Sequence, residues 1–311
     1  MAIPGLTSRT SKRAAAVGAV AALALAGALQ AGASSAVATA YGPHTPHDAG
    51  LQLGVVHAHG SKAARTRLAG DMLYNGGTVM TTAVTESIFW GPSWASSSFV
   101  GDKISGIDTW YTGFGGSNYA KTSDEYTGSN GQVSASTSYL GHVIDTSQAS
   151  GGNRTSVILA EVAKEVTNPV PNGYYAVYVD LPRGGAGYCA WHSWGSIGTV
   201  PVQFAFFFNL DGDSGCDPQD SSGLHSQGLA ALANVSGHEL SEARTDPRGA
   251  GWFDSKGAEN GDKCAWSFGA PLVKFSNGSQ WKIQGEWSNH AFDTNTGYPN
   301  LSGQDGCLSG Q

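Results

Sequence analysis

The residues of this chain best suited to chemistry lie in one run, "SGHELSEARTDPRGAGWFDSKGAENGDKCAW", residues 236–266. It holds His238, Glu239, Glu242, Asp246, Glu259 and Asp262. If the run opens as a helix, positions four apart share a face. His238 and Glu242 then point the same way, while Glu239 is turned by about 100°. This is the layout of a His-Glu-x-x-His zinc helix with a carboxylate in the second ligand place. A carboxylate is an acceptable zinc ligand. Glu239 would sit beside the open coordination position and act as catalytic base, taking a proton from water. Further ligands must come from beyond the helix: Asp246, Glu259 or Asp262 after the Pro-Gly turn, or His192 from "CAWHSW". The expected cofactor is a divalent metal ion, Zn2+ foremost, and the expected reaction is hydrolysis of a peptide-type bond. The competing reading is a solvated helix end, with Asp246 in an Asx turn, Glu259 capping a loop and His192 packed in the core. Carboxylates gathered in a cleft repel one another and lose hydration, so something cationic should offset them. The rivals to an ion are Arg244, Arg248 and Lys263.

Other groupings carry weaker signals. "NLDGDSGCDPQD" supplies Asp211, Asp213, Asp217 and Asp220. Its Asp-x-Asp-x-Gly order is that of a calcium loop, but the closing Glu of an EF-hand is missing, and a tight acidic turn is the simpler reading. His44, His47, His57 and His59 form a His-rich tract that reads as solvated loop. Trp90, Trp94, Trp110, Trp191 and Trp194 could line a sugar-binding cleft or fill a core. No G-x-S-x-G, Walker A or dinucleotide fingerprint occurs.

The elements that must position these groups follow from periodicity. "VMTTAVTESIFWG" (79–91) and "YYAVYVDL" (174–181) read as strands. "VQFAFFFNL" (202–210) is nearly continuously apolar, as in a strand buried on both faces. Residues 129–145 alternate and read as strand and turn. Residues 95–111 and 154–166 have helical spacing. Residues 225–245 place Leu229, Leu232, Ala233 and Leu240 in helical register until Pro247 and the glycines stop them. Residues 271–287 read as a hairpin around Asn277-Gly278. The fold class expected is α+β: a mixed β-sheet with a few packed helices, one of them a zincin-like active-site helix.

The whole chain sets the context. Arg9, Lys12 and Arg13 precede an Ala/Leu/Val run that ends in "AVATA", so residues 1–40 read as a signal peptide cut after Ala40. The alternative, a retained anchor, lacks a stop-transfer flank. No later stretch is long and apolar enough to span a bilayer, so no stable membrane anchor is expected after processing. Residues 41–70 read as an extended N-terminal segment and 71–311 as a single globular domain. Removal of the leader takes the formal charge from −7 to −10, a poor balance for nucleic-acid binding. All four cysteines, Cys189, Cys216, Cys264 and Cys307, lie in the exported part, which favours two disulfides in an oxidising compartment. Of the three pairings, Cys189–Cys216 and Cys264–Cys307 is expected. The first pair flanks the strand candidate 202–210, and the second ties the C-terminal tail back near the acidic motif.

At "YCAWHS", "GHELSEARTDP", "GWFDSKGAENGDKCAW", the terminal "GC" and "LYNGGTVMTTAVTESIFWGPSW", the chain resembles the phosphate-induced, EXORDIUM-like protein family. The likeness runs from about Leu73 to Cys307. The family's His-Glu and Thr-Asp-Pro elements fall on His238, Glu239, Thr245, Asp246 and Pro247, and its Cys-x-x-His on Cys189 and His192. The resemblance implies a secreted, cell-wall-associated protein. Two expectations therefore stand side by side. One is a secreted, metal-dependent hydrolase acting on an extracellular peptide or cell-wall substrate. The other is a non-catalytic extracellular binding or signalling module.

Overall fold

The computed structural model describes residues 45–61 and 70–311, all of them within one compact unit, Ala40–Gln311. The signal peptide expected at 1–40, His44, and residues 62–69 lie outside the described residues. Seven strands make the main sheet: β1 (Pro46–Asp48), β2 (Leu53–His57), β3 (Ala83–Trp90), β4 (Thr137–Asp145), β5 (Gly173–Pro182), β6 (Tyr188–Ile197) and β7 (Val200–Asn209). Their order is β1-β6-β7-β5-β3-β4, and β2 also pairs with β6. Strands β4, β3, β5 and β7 run parallel. Strand β6 is antiparallel to β7 on one side and to β1 and β2 on the other. The chain is thus mixed α and β with a mixed sheet.

Burial follows position in the sheet. β7, flanked on both edges and covered on both faces, is buried through its Phe-rich middle. β4 lies at the edge, and its residues alternate between half-buried and exposed, as a strand with one solvated face must. Of the seven α-helices among the described residues, four bear on the sheet and the acidic run: α1 (Lys103–Phe114), α2 (Thr155–Glu165), α3 (Gln227–Thr245) and α4 (Asn260–Lys263). Helices α2 and α3 lie on opposite faces of β6. A Cβ placed on Gly195 would meet Leu159 of α2, whereas His192 contacts Glu239 of α3. An odd separation along a strand points two residues to opposite faces.

Helix α3 is buried along nearly its whole length. Its sequence explains how: Gly, Ala and Ser recur between the leucines, so neighbours approach from every side. At its start the Ser226 hydroxyl accepts from Leu229 N at 3.2 Å, a conventional N-cap. At its end the chain leaves the helical conformation at Asp246, just before Pro247.

Three elements differ from the sequence expectations. The helical spacing at 95–111 is divided, with a short turn at Ser97–Val100 and α1 beyond it, because Gly101 takes φ 52° between them. The hairpin at 271–287 is shorter: Val273–Lys274 pairs with Gln280–Trp281, and Glu286–Trp287 pairs instead with Asp305–Leu308. Residues 46–48 and 53–57 are not a segment apart from the domain; they are strands of the main sheet. The Trp residues 90, 94, 110 and 191 are buried, which makes them core.

Both disulfides pair as expected, Cys189–Cys216 and Cys264–Cys307. They pin the two stretches of chain that matter most. Cys189 is on β6 three residues before His192, and Cys264 follows α4 two residues after Asp262. No helix among the described residues is long and apolar enough to cross a membrane.

Candidate metal centre

Helix α3 presents His238, Glu239 and Glu242 toward β6 and α4. His238 Nε2 lies 2.9 Å from Glu242 Oε1, the one-turn contact that the spacing requires. His192 comes from β6, with Nδ1 at 3.2 Å from Glu239 Oε2 and 3.6 Å from Glu242 Oε2. Its Nε2 is 3.8 Å from Glu259 Oε2. Asp262 Oδ1 lies 3.7 Å from His238 Nε2. Three groups of side chains among the described residues could hold a metal ion: His192, Glu239 and Glu242, and His238, Glu242 and Asp262 at this centre, and Asp145, Glu161 and Glu165 apart from it, where Lys164 pairs with all three acids. Glu242 belongs to both groups at the centre.

Short helix α4 delivers its acids through its own cap. Glu259 is the N-cap residue, and its side chain and that of Asp262 form a capping box. The Glu259 backbone N–H donates to Asp262 Oδ2 at 3.3 Å, which leaves Oδ1 for His238. The Asp262 N–H donates to Glu242 Oε1 at 2.9 Å. Two glycines let main chain come this close. A Cβ on Gly261 would meet Glu242 Oε1 at 2.9 Å and His238 Cγ at 2.9 Å. A Cβ on Gly54, in β2, would meet Glu242 Oε2 at 1.7 Å and His192 Cε1 at 2.5 Å.

The inner part of the centre is shut away from water: His192, His238, Glu239 and Glu242 have no exposed surface, whereas Asp262 at its rim is half-buried. Burial pushes the His192 imidazole down to about 3, with His238 adding to the effect. Burial likewise lowers His238 to about 4, against the pull of Asp262 and Gln284. Both shifts favour the neutral imidazole, the form that can act as a ligand. Glu239, Glu242 and Glu259 are all raised well above the ordinary carboxylate range, first by burial. Asp262 is raised to about 7 by burial and then by Glu242. Removing that desolvated repulsion takes protons or a cation.

Each basic side chain of the neighbourhood has a contact outside the centre, although Arg244 Nε and Nη1 have no hydrogen-bond partner. Arg244 donates to the Ala120 and Ser134 carbonyls, both at 2.9 Å. Lys263 Nζ donates to Gly70 O at 2.5 Å and lies 3.6 Å from Asp254. Arg248 lies over the Trp194 ring at 5.8 Å. Against this stands a set of buried atoms without hydrogen-bond partners: His192 Nε2, Glu242 Oε2 and Glu259 Oε2. Each is an atom that zinc accepts, and buried polar atoms are seldom left unpaired.

The two histidines are not equivalent. His192 Nδ1 faces the Glu239 carboxylate. A proton held there leaves Nε2 with its lone pair free, the usual carboxylate–histidine arrangement around a metal. His238 Nδ1 lies 2.9 Å from the Gln284 amide nitrogen, which also donates to Gly261 O at 3.0 Å. The amide therefore presents N–H to Nδ1 and keeps the imidazole proton on Nε2. His238 can bind through Nε2 only after that proton moves and the Gln284 amide yields.

Asp246 is buried nearby, but its Oδ1 accepts from Ala250 N at 2.8 Å and Gly251 N at 2.7 Å. It closes the turn after α3, and none of the three groups includes it. The acids of 211–220 are divided among separate partners. Asp211 pairs with Lys103, Asp213 with Arg183 at 2.7 Å, and Asp220 lies 3.2 Å from His225. That loop is a turn, and no ligand group among the described residues contains its acids.

Sequence reasoning missed Gln284 and Gly54. Gln284 carries no signal, being one polar residue in a region read as alternating hairpin. Gly54 carries one: a lone Gly before "VVH" marks a bulge or a close backbone approach. A cleft of about 430 Å³ adjoins the centre, and its walls include Gly54, Asp246, Glu259, Asp262, Phe253 and Trp266. No protein-family model, no curated protein and no solved structure matches this chain.

Proposed function

We propose that this protein is a secreted, metal-dependent hydrolase of peptide-type bonds, with a zincin-like helix at its centre. One observation carries the reading: two largely buried groups that share Glu242, His192–Glu239–Glu242 and His238–Glu242–Asp262, each bring three ligand atoms within reach of one ion, and His192 Nε2, Glu242 Oε2 and Glu259 Oε2 there have no hydrogen-bond partner. Glu242 would hold the ion together with His192 or His238, the histidines of the two groups it shares, and Glu259 and Asp262 border these histidines. A divalent ion bound there would polarise a scissile carbonyl and acidify water.

The chain's own residues supply the rest. Glu239 takes a proton from the attacking water and returns it to the leaving amine. His192 Nδ1 orients that carboxylate and stabilises its ionised form. Burial keeps bulk water from competing for these contacts. The two disulfides agree with an extracellular protein, and the resemblance to EXORDIUM-like proteins points the same way.

The test is hydrolysis of a quenched-fluorescence peptide library by zinc-loaded protein. Glu239→Gln should keep the metal and lower hydrolysis by roughly 10²–10⁴-fold. Equal turnover in the two proteins would remove Glu239 from the chemistry. A zinc-loaded wild type that cleaves nothing, even after strand β2 is displaced from the centre, would favour the non-catalytic binding module.

A further inference from the structure

The candidate centre is roofed by the protein's own N-terminal segment. β2 pairs antiparallel with the half of β6 that carries His192: Leu53 lies opposite His192, Val55 opposite Trp191 and Val56 opposite Ala190. The register breaks between Leu53 and Val55, so the strand bulges at Gly54. Gly54 has φ 23°, and a Cβ there would strike Glu242 and His192, so no side chain fits between its backbone and that pair. The chain passes over the centre as bare main chain.

Its amides bind the reactive groups directly. Gly54 N–H donates to Glu259 Oε1 at 3.2 Å, and Val56 N–H donates to Glu239 Oε1 at 3.4 Å. The carboxylate assigned as base is thus held by a backbone amide. On either side the segment is tied through main chain, and also through Val56 and Ala58, which are buried in the core. Ser193 donates to Leu51 O, Trp266 Nε1 donates to His57 O at 2.9 Å, and His59 N donates to Gly215 O at 2.7 Å. The 430 Å³ cleft is lined by Leu53, Gly54, Val55 and His57 of this segment together with Phe253, Ala265 and Trp266. Lifting the strand joins that cleft to the centre and bares the edge of β6.

We infer that the outer edge of β6 is the binding track for an extended polypeptide substrate, and that residues 45–59 fill it as an internal surrogate and hold the centre latent. The chemistry specifies the occupant. Pairing to a sheet edge uses backbone N–H and C=O groups, which any extended polypeptide supplies. A carbohydrate or a compact small molecule offers no such ladder. The bulge then places main chain against Glu239, Glu242 and His192, where a peptide bond would have to lie to be cut. The substrate class rests on the proposed hydrolase function; the occupancy of the track does not.

The experiment uses the full chain with a sequence-specific protease site inserted between Ser61 and Gly70. After cleavage, a labelled synthetic peptide of residues 45–61 is offered and its binding read by fluorescence anisotropy. The uncut chain should not bind the peptide. The cut chain should release its own N-terminal piece to excess labelled peptide and bind one peptide per chain. It should also keep a cooperative thermal transition. The same peptide carrying Gly54→Val should bind at least about tenfold more weakly, because its side chain meets Glu242. Three results would each overturn the inference: loss of the cooperative transition when the piece leaves, a folded body that binds no peptide, or equal binding of the Gly54→Val peptide. A native piece that resists a roughly hundredfold excess of competitor counts with the first, as part of the fold. Zinc is titrated into the same samples. Peptide binding without zinc binding would sink the metallohydrolase reading and leave the track; zinc binding without peptide binding would do the reverse.

Discussion

At the scale of single residues, the centre turns on which nitrogen of each histidine is free. His192 Nε2 has no hydrogen-bond partner, and its Nδ1 faces Glu239. His238 is held by Gln284 in the opposite tautomer. Both His192→Ala and His238→Ala should weaken zinc binding by at least about tenfold, a typical cost of disturbing a metal site. The loss should be larger for His192, measured by competition with a chromophoric chelator. A larger loss at His238 would mean that Gln284 yields readily and that the helix histidine leads. The spacing of His238, Glu239 and Glu242 was legible in the sequence because a helix fixes it. The tautomer was not, since Gln284 lies 46 residues from His238 in the chain. Its approach depends on how a short hairpin packs under α3.

At the scale of elements, α3, β6 and α4 each deliver part of the centre, and sequence patterns revealed them unequally. α3 showed through leucine periodicity and Pro247. β7 showed through its apolar run. β6 did not: "YCAWHSWGSI" mixes His, Ser and Gly into a strand whose odd residues face α2 and whose even residues face the centre. The N-terminal strands hid for a related reason. Their Pro, Gly and His residues look like loop, and the sheet edge supplies the order that the local sequence lacks. Helix α2 carries a separate consequence. Glu161 lies on its inner face at 5% exposure. Burial raises its carboxyl from 4.5 to about 7, with Asp145 adding and Lys164 opposing. A carboxyl raised on folding binds its proton more tightly in the native state. Stability from this group is therefore full at low pH and falls as pH rises from about 4.5 toward 7. Glu161→Gln should flatten that part of the profile of thermal midpoint against pH. An unchanged slope would show that Lys164 neutralises Glu161 across the range.

At the scale of the whole molecule, two disulfides lock the segments that carry the candidate ligands to the sheet and to the C-terminal strand. They close separations of 27 and 43 residues. On the chain-entropy view each contributes roughly 3–4 kcal/mol. The Cys264→Ser/Cys307→Ser double variant should lose about that much in denaturant unfolding and weaken zinc binding as α4 loosens. Unaltered zinc affinity would show that the capping box alone fixes Glu259 and Asp262. The pairing was legible from cysteine order around one strand. The burial of the centre was not, because it depends on β2, whose Val56 lies 183 residues from Glu239 in sequence. The central claim is that this buried cluster holds a divalent ion, and elemental analysis of protein purified without chelator tests it most directly. The account predicts close to one equivalent of a transition metal per chain, zinc foremost, with most of it lost in the His192→Ala/His238→Ala double variant. A wild-type protein that carries no metal and takes up none when dialysed against zinc would contradict it.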